Sequence, residues 1–160
     1  MRILSMDQSS NLSGFCVMDD GKIVDSGTVS KEKIKDGNER IAEMSESLCA
    51  IVDKVKPELV VIENIQNQNS TKTVILLARL QGMILGYCHA HSIRTEILEP
   101  SKWRSKLSFK QGAGVKRDAL KQQAVDYIKA HYNMDVDIDQ SEAICIAVVA
   151  NKMFGMSWDD

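Results

Sequence analysis

Two acidic residues stand where short apolar runs end, a position from which a side chain can do chemistry at the edge of a sheet. Asp7 follows the run at residues 3–6, and Glu63 follows the run at residues 60–62. Runs of this length and composition are typical of β-strands. If the two strands are adjacent and parallel, both carboxylates project from the carboxyl edge of the sheet, where α/β proteins commonly bind ligands.

A second pair of acids, Asp139 and Glu142, lies three residues apart at the start of a predicted helix. Side chains at this spacing share a helix face, so these two carboxylates would point the same way while Ala143 and Ile144 face the core. The segment has few bulky side chains, which lets the helix approach the sheet and bring its acids beside the first pair. Taken separately, Asp139 is equally well explained as an N-cap and Glu142 as a first-turn acid favoured by the helix dipole.

Four carboxylates this close together require a counter-charge, because each raises the pKa of the others. A divalent cation supplies it, and oxygen ligands favour Mg²⁺, with Mn²⁺ as a possible substitute, over zinc. His89 and His91 are two residues apart and are interpreted as surface or helix-end residues, with a chelate as the alternative. The cysteines are far apart and lie beside apolar residues, which predicts buried free thiols: Cys16, Cys49, Cys88 and Cys145.

Charge is distributed unevenly along the chain. The segment at residues 101–121 carries a net charge of +6, whereas the rest of the chain sums to -8. A local basic segment on an acidic protein indicates a phosphate-binding face, although a solvated helix and loop surface is the plainer alternative. The candidate DNA-binding residues are the seven basic side chains of this segment: Lys102, Arg104, Lys106, Lys110, Lys116, Arg117 and Lys121.

The elements that must position these residues can be read from apolar periodicity and turn residues. The first thirty residues predict an antiparallel meander of three strands, with Asp19-Asp20-Gly21 as a tight turn before the third. Helix, strand, helix, strand and further helices follow in that order. The predicted strands are 2–7, 14–18, 22–29, 58–63 and 93–98, and the predicted helices are 41–55, 71–89, 115–131 and one starting near residue 139.

Length and composition predict one α/β domain over residues 1–160. The chain has 160 residues, of which 44% are hydrophobic, and it contains no repeat or low-complexity tract. No apolar run reaches the roughly 18 residues of a membrane span, and the first residues lack the long apolar stretch of a signal peptide. We therefore expect a soluble, cytoplasmic protein with no membrane partner.

The order of these acids resembles the ribonuclease H-like nucleases, and within them the RuvC-type Holliday-junction resolvases. The resemblance rests on an acid ending the first strand, a Glu ending the fourth, and the D-x-x-E-A pair that opens the last helix. Leu80-Gln81-Gly82 and the glycine-containing, lysine-bearing stretch at residues 112–116 add to it. It implies a mixed five-stranded sheet, three strands antiparallel and two parallel, with helices on both faces.

By this resemblance, Asp7, Glu63, Asp139 and Glu142 would be catalytic metal ligands. Lys116, and with less support Lys106 or Lys110, would contact the scissile phosphate. The chain departs from the family at three places. Gln8-Ser9 stands where Pro-Gly is frequent, Glu142 stands where Asp is usual, and residues 65–69 lack the aromatic side chain that stacks on junction bases.

The implied activity is metal-dependent cleavage of four-way (Holliday) junctions or related branched DNA by two-metal hydrolysis, which leaves 5′-phosphate and 3′-hydroxyl ends. Paired cuts in a two-fold junction imply a homodimer. The helix at 71–89, with Gly82 and Gly86, is the candidate interface, although a face buried within the monomer explains the glycines equally well.

Three other functions fit part of this pattern. One is a less selective fork or flap nuclease or an RNA–DNA hybrid nuclease of the same superfamily. Another is a non-catalytic DNA-binding protein with this fold. A sugar-kinase-like ATPase fragment is disfavoured because residues 7–10, Asp-Gln-Ser-Ser, lack a glycine-rich phosphate loop.

Overall fold

Five strands form one mixed sheet in the computed structural model, which describes residues 1–66 and 70–155 of the chain. The order across the sheet is β3-β2-β1-β4-β5. Strand β2 pairs antiparallel with both β1 and β3, and β4 pairs in parallel with both β1 and β5. This confirms the predicted mixed sheet. The strands are β1 Arg2–Asp7, β2 Leu12–Asp19, β3 Lys22–Ser30, β4 Leu59–Glu63 and β5 Arg94–Leu98.

The turn between β2 and β3 has the tight geometry that its sequence predicts. Asp19 pairs with Lys22, so the loop between the strands has two residues. Both of them, Asp20 and Gly21, have positive φ angles, 46° and 77°. Two successive positive φ angles define a type I′ turn, whose twist matches that of the flanking strands.

Five helices lie along the described residues. They are α1 Gly37–Val55, α2 Thr71–Ala90, α3 Pro100–Lys106, α4 Arg117–Tyr132 and α5 Ile138–Phe154. The sequence did not predict α3, because seven residues are too few to show helical periodicity. Helix α4 begins two residues later than predicted, since the segment before it includes Gly114 with φ of 87° and Lys116 in an extended conformation as N-cap.

The helices cover both faces of the sheet, as predicted, and bury two apolar cores. One core joins alternate sheet residues, including Ile3 and Val61, to α3, α4 and α5. The other joins the intervening residues, including Leu4 and Val60, to α1 and α2. Strand β4 is therefore apolar on both faces, as its continuous apolar run predicts for a central strand. Helix α5 is buried over residues 141–150 and lies directly against β1 and β2.

The four cysteines are free thiols, as predicted. Burial is confirmed for Cys16, Cys88 and Cys145, whereas the prediction of burial is wrong for Cys49, which is half-buried. Burial raises the pKa of Cys16 to about 12 and that of Cys88 to about 11. These thiols are therefore protonated at neutral pH and belong to the cores.

Helix α2 packs by one side only. Leu80, Ile84 and Cys88 are buried against α1 and the sheet, whereas Ile75 and Met83 are 44% and 42% exposed. Among the described residues, α2 is the one helix that is long and apolar enough to cross a membrane, judged by length and composition alone. Its packing on α1 is that of a helix on the surface of a folded domain.

Candidate active site

Asp7 and Glu63 meet at one edge of the sheet because their strands are neighbours and run in parallel. Met6 is aligned with Ile62, so the two acids that follow them leave the carboxyl ends of β1 and β4 side by side. The side chains of both acids are half-buried and open into a groove. This is the arrangement that the two strand-ending acids predict.

A glycine lets α5 approach this edge closely. Gly14 on β2 is aligned with Asp7, and a Cβ atom placed on it would lie 2.7 Å from the carbonyl carbon of Asp139 and 3.3 Å from the Cβ of Ala143. The first distance is shorter than real Cβ contacts allow, so a larger residue would displace the start of α5. The buried hydroxyl of Ser5 also donates a hydrogen bond of 2.6 Å to the carbonyl of Ala143.

The acids at the start of α5 have different roles. Asp137 is the N-cap, since its carboxylate accepts a hydrogen bond of 2.8 Å from the backbone N–H of Gln140. The alternative reading of Asp139 as the N-cap is therefore wrong. Asp139 lies in the first turn and is half-buried, whereas Glu142, one turn further in, is only 6% exposed.

Three of the four predicted metal ligands converge. Carboxylate oxygens of Asp7, Glu63 and Glu142 lie within 4.8 Å of one another. Asp139 does not belong to this cluster, but it lines the same groove. Within the described residues, one buried oxygen of Glu63 and one of Glu142 lack hydrogen-bond partners. Buried carboxylate oxygens without partners, gathered in one place, fit a divalent cation.

The cluster is electrostatically unfavourable without a cation. Burial, followed by the charges of Glu63 and Glu142, raises the pKa of Asp7 well above its usual value. Burial and the charge of Glu142 raise the pKa of Glu63 to about 8. The pKa of Glu142 and that of Asp139 are also raised, in both cases mainly by burial. Perturbed carboxylates grouped in a groove are the physical mark of a functional site.

The groove has basic side chains among its walls. It encloses about 590 Å³ and is lined by the four predicted acids together with Arg40, Arg104, Arg117 and Lys121. Arg104 lowers the pKa of Glu63 and Glu142, and Lys121 lowers the pKa of Glu142 and Asp139. The cations therefore favour the ionised state that a metal ligand requires.

The seven predicted DNA-binding residues divide into two groups. Arg104, Arg117 and Lys121 line the groove, whereas Lys102, Lys106, Lys110 and Lys116 are exposed and do not line it. Arg104 is only 9% exposed, and its guanidinium lies 5.1 Å from the ring centre of Trp103. It is thus buried beside the carboxylates, a position that its place in a basic segment did not predict.

Two further residues, Arg40 and Gln8, line the groove but were not predicted from the sequence as site residues. Arg40 on α1 donates to the hydroxyl of Ser10 at 3.3 Å from both Nε and Nη2, and nothing in its sequence context signals this. Gln8 is buried next to Asp7. The sequence feature that could have marked Gln8 is that Gln8-Ser9 stands where the family often has Pro-Gly. The non-aromatic stretch at 65–69 lies partly outside the described residues, since residues 67–69 are not described.

A mixed sheet in the order β3-β2-β1-β4-β5, with acids at the ends of β1 and β4 and on the last helix, defines a ribonuclease H-like nuclease. The chain belongs to the family of the crossover junction endodeoxyribonuclease RuvC, whose family model matches residues 3–150. This confirms the resemblance seen in the sequence.

Individual relatives agree with this assignment. The chain is 32% identical over 88 residues to the crossover junction endodeoxyribonuclease RuvC of Hydrogenovibrio crunogenus, an alignment that covers 52% of this chain and 51% of that one. It is 26% identical over 154 residues to the RuvC of Geotalea uraniireducens, with 92% and 86% covered. The fold matches that of T. thermophilus RuvC, solved in complex with a Holliday junction substrate, with a TM-score of 0.75 at 13% identity and 96% of each chain covered.

Proposed function

We propose that the protein is a metal-dependent endonuclease that cleaves Holliday junctions or related branched DNA. The observation that carries the proposal is the cluster formed by Asp7, Glu63 and Glu142 in a groove with basic walls, in a chain of the RuvC family. Members of the family bear the name crossover junction endodeoxyribonuclease, and the T. thermophilus relative was solved with junction DNA.

The cluster would hold the metal through Asp7, Glu63 and Glu142, with Asp139 as a further ligand at the groove wall. Oxygen ligands of this kind favour Mg²⁺, with Mn²⁺ as a substitute. Bound divalent cations would supply the positive charge that stabilises the attacking and leaving oxygens of a phosphodiester. The chain's own contribution is to keep the carboxylates ionised and in place, through Arg104, Lys121 and the packing of α5 on Gly14.

The reaction we propose is hydrolysis of one phosphodiester bond. The oxygen of a water molecule forms a bond to phosphorus, and the bond from phosphorus to the 3′ oxygen breaks. The water loses a proton, and the 3′ oxygen gains one. The products are a 5′-phosphate and a 3′-hydroxyl, so the nick can be resealed by a ligase.

DNA would be held by the basic side chains around and inside the groove. Arg117 and Lys121 line it, and the exposed Lys116 occupies the N-cap position of α4, directly before Arg117. Lys116 stays our candidate for contact with the scissile phosphate. Because phosphate contacts release counterions, affinity for junction DNA is expected to fall steeply with salt concentration.

We also propose that the protein acts as a homodimer through α2, since two opposed cuts require two active sites. Apart from the neighbouring backbone of α2 itself, no described atom lies within 4 Å of where the Cβ atoms of Gly82 and Gly86 would be, so neither glycine serves packing against another element of the monomer. Ile75 and Met83 add exposed apolar surface to the same helix.

Sedimentation tests the dimer. Met83→Arg is expected to shift the protein toward monomer, because it places a charge in the proposed interface. The matched control is Val24→Arg on β3, where the side chain is 57% exposed and lies on another element. A monomeric wild-type protein, or equal behaviour of the two variants, would contradict the α2 interface.

Substrate choice separates the proposed activity from its alternatives. Labelled four-way junctions, forks, linear duplex and RNA–DNA hybrids are compared at equal concentration in Mg²⁺. Preferential cutting of the junction supports a resolvase, equal cutting of forks supports a general branch nuclease, and cutting of the hybrid alone supports a ribonuclease H activity. Binding without cutting would indicate a non-catalytic DNA-binding protein.

A further inference from the structure

Gln8 is buried in the active-site groove, and its side-chain amide forms no hydrogen bond with the described residues. It follows Asp7 directly and is 9% exposed. Within the described residues, neither its Oε1 nor its Nε2 has a hydrogen-bond partner. The side chain lines both the main groove and a smaller adjoining cavity of about 100 Å³, which Asp7, Glu63 and Gln66 also line. The side chain therefore forms part of the groove wall that a substrate would contact, and both of its amide atoms are buried in that wall.

A second buried glutamine, Gln81, differs from Gln8 because its amide has a hydrogen-bond partner. Gln81 on α2 is 8% exposed, but its Nε2 donates a hydrogen bond of 3.2 Å to the backbone carbonyl of Glu63. That amide is satisfied by the fold. Burying a polar group without a partner costs free energy, and such groups in a folded protein point to a ligand or a strained functional position. Of these two buried glutamines, Gln8 is the one whose amide has no hydrogen-bond partner among the described residues.

The charged groups around Gln8 restrict the kind of ligand that its side chain can bind. Carboxylates crowd this end of the sheet, and their pKa values are already raised, so another acid there would add repulsion. A lysine would compete with a cation for the same carboxylates. A neutral amide provides N–H donors without either cost, and the acceptor that cleavage brings beside Asp7 is the phosphate being cut.

We propose that Gln8 is a substrate-contacting residue of the cleavage reaction, with its Nε2 donating a hydrogen bond to a non-bridging oxygen of the scissile phosphate. The inference rests on the proposed nuclease function and deepens it, since it assigns a role to a residue where the family often has Pro-Gly. The contact holds the phosphorus in line with the attacking water and strengthens as negative charge develops on that oxygen.

The test is single-turnover cleavage of a four-way junction in Mg²⁺ by Gln8→Met, which keeps the length of the side chain and removes its polar atoms. We expect the rate to fall by roughly 10- to 100-fold, the effect of losing one hydrogen bond to a charged group. Gln8→Glu, which lacks the N–H donors, is expected to slow cleavage at least as much.

Phosphorothioate substitution identifies which non-bridging oxygen of the scissile phosphate accepts the hydrogen bond from Gln8. Junctions carrying one phosphorothioate diastereomer or the other at the cleaved phosphate are compared with the normal junction, for the wild type and for Gln8→Met. For one diastereomer, the sulfur and the mutation are expected to be non-additive, because both remove the same hydrogen bond. A purely structural glutamine would give additive effects with both diastereomers.

Thermal unfolding distinguishes the loss of the phosphate contact from a loss of protein stability. Gln8→Met is expected to keep or raise Tm, because it replaces an unpaired buried amide with an apolar group. Gln81→Met is expected to lower Tm, because it leaves the Glu63 carbonyl without its donor.

Normal cleavage by Gln8→Met would overturn the inference. A Tm that falls as for Gln81→Met, with additive sulfur effects, would also overturn it, as would a changed sequence preference with additive effects, which indicates contact with a base edge. If the wild type itself cuts no branched DNA, the proposed function fails and this inference fails with it. If the wild type cuts branched DNA and Gln8→Met cuts it equally well, only the inference about Gln8 is refuted, and the proposed function stands.

Discussion

Replacing Glu63 with glutamine is expected to stabilise the metal-free protein at pH 8 and to abolish its stabilisation by Mg²⁺. Burial and the charge of Glu142 raise the pKa of Glu63 from 4.5 to about 8 in the folded protein. A carboxyl group whose folded pKa is raised contributes stability at low pH, and that contribution is lost as pH rises through the folded value. The wild type without metal is therefore less stable at pH 8 than at pH 5.

The size of the effect follows from the two pKa values. At about 1.4 kcal/mol per pH unit, the difference between 4.5 and about 8 corresponds to at most roughly 5 kcal/mol. The side chain is half-buried, and groove water screens it, so we expect Glu63→Gln to gain about 2–3 kcal/mol at pH 8. For a chain of this length, that is a rise in Tm of about 4–12 °C.

The assay is thermal unfolding in a chelator at pH 5 and pH 8, followed by the same scans with excess Mg²⁺. Glu43→Gln is the control, since Glu43 is an exposed acid on α1 and its substitution changes the net charge equally. The control is expected to behave as wild type in all four conditions. If Glu63→Gln lowers Tm equally at both pH values, or if wild-type Tm does not depend on pH over this range, the electrostatic account of the cluster is wrong.

Three shorter predictions concern other parts of the site. Gly14→Ala is expected to cost about 1–3 kcal/mol of stability, because its Cβ meets the backbone of α5; an unfolding curve equal to that of the wild type would contradict this. Arg104→Met is expected to shift the pH profile of cleavage to higher pH, since Arg104 lowers the pKa of two of the carboxylates, and Arg104→Lys is expected to shift it less; an unmoved profile would contradict this. Lys116→Ala is expected to slow cleavage more than Lys102→Ala does, and equal rates would remove Lys116 from the site.

Much of the fold was predictable because its strands have strong and distinct patterns. The central strand β4 has a continuous apolar run, and the turn at Asp20-Gly21 is specified by two residues that tolerate positive φ. Pairing the two strand-ending acids, Asp7 and Glu63, needed only the assumption that β1 and β4 are parallel neighbours. The apolar run and the turn are each specified by neighbouring residues, which is why both can be recognised in the sequence.

The parts that were missed depend on three-dimensional packing. Two aspartates, Asp137 and Asp139, precede the apolar part of α5, and only the backbone geometry shows that the first is the N-cap. That choice leaves Asp139 in the first turn and outside the cluster of three carboxylates. Arg104 appeared as one charge in a basic segment, because no pattern marks a helix as short as α3 or shows that its arginine is buried beside Trp103.

The most direct test of the account is cleavage of a labelled four-way junction by the wild type and by Asp7→Asn, with and without Mg²⁺. Asp7→Asn keeps the shape of the side chain but removes a carboxylate from the centre of the cluster. We expect the wild type to make paired nicks in opposed strands only when Mg²⁺ is present, and the variant to bind the junction without cutting it. Cleavage by Asp7→Asn at the wild-type rate, or wild-type cleavage that needs no metal, would contradict the central claim.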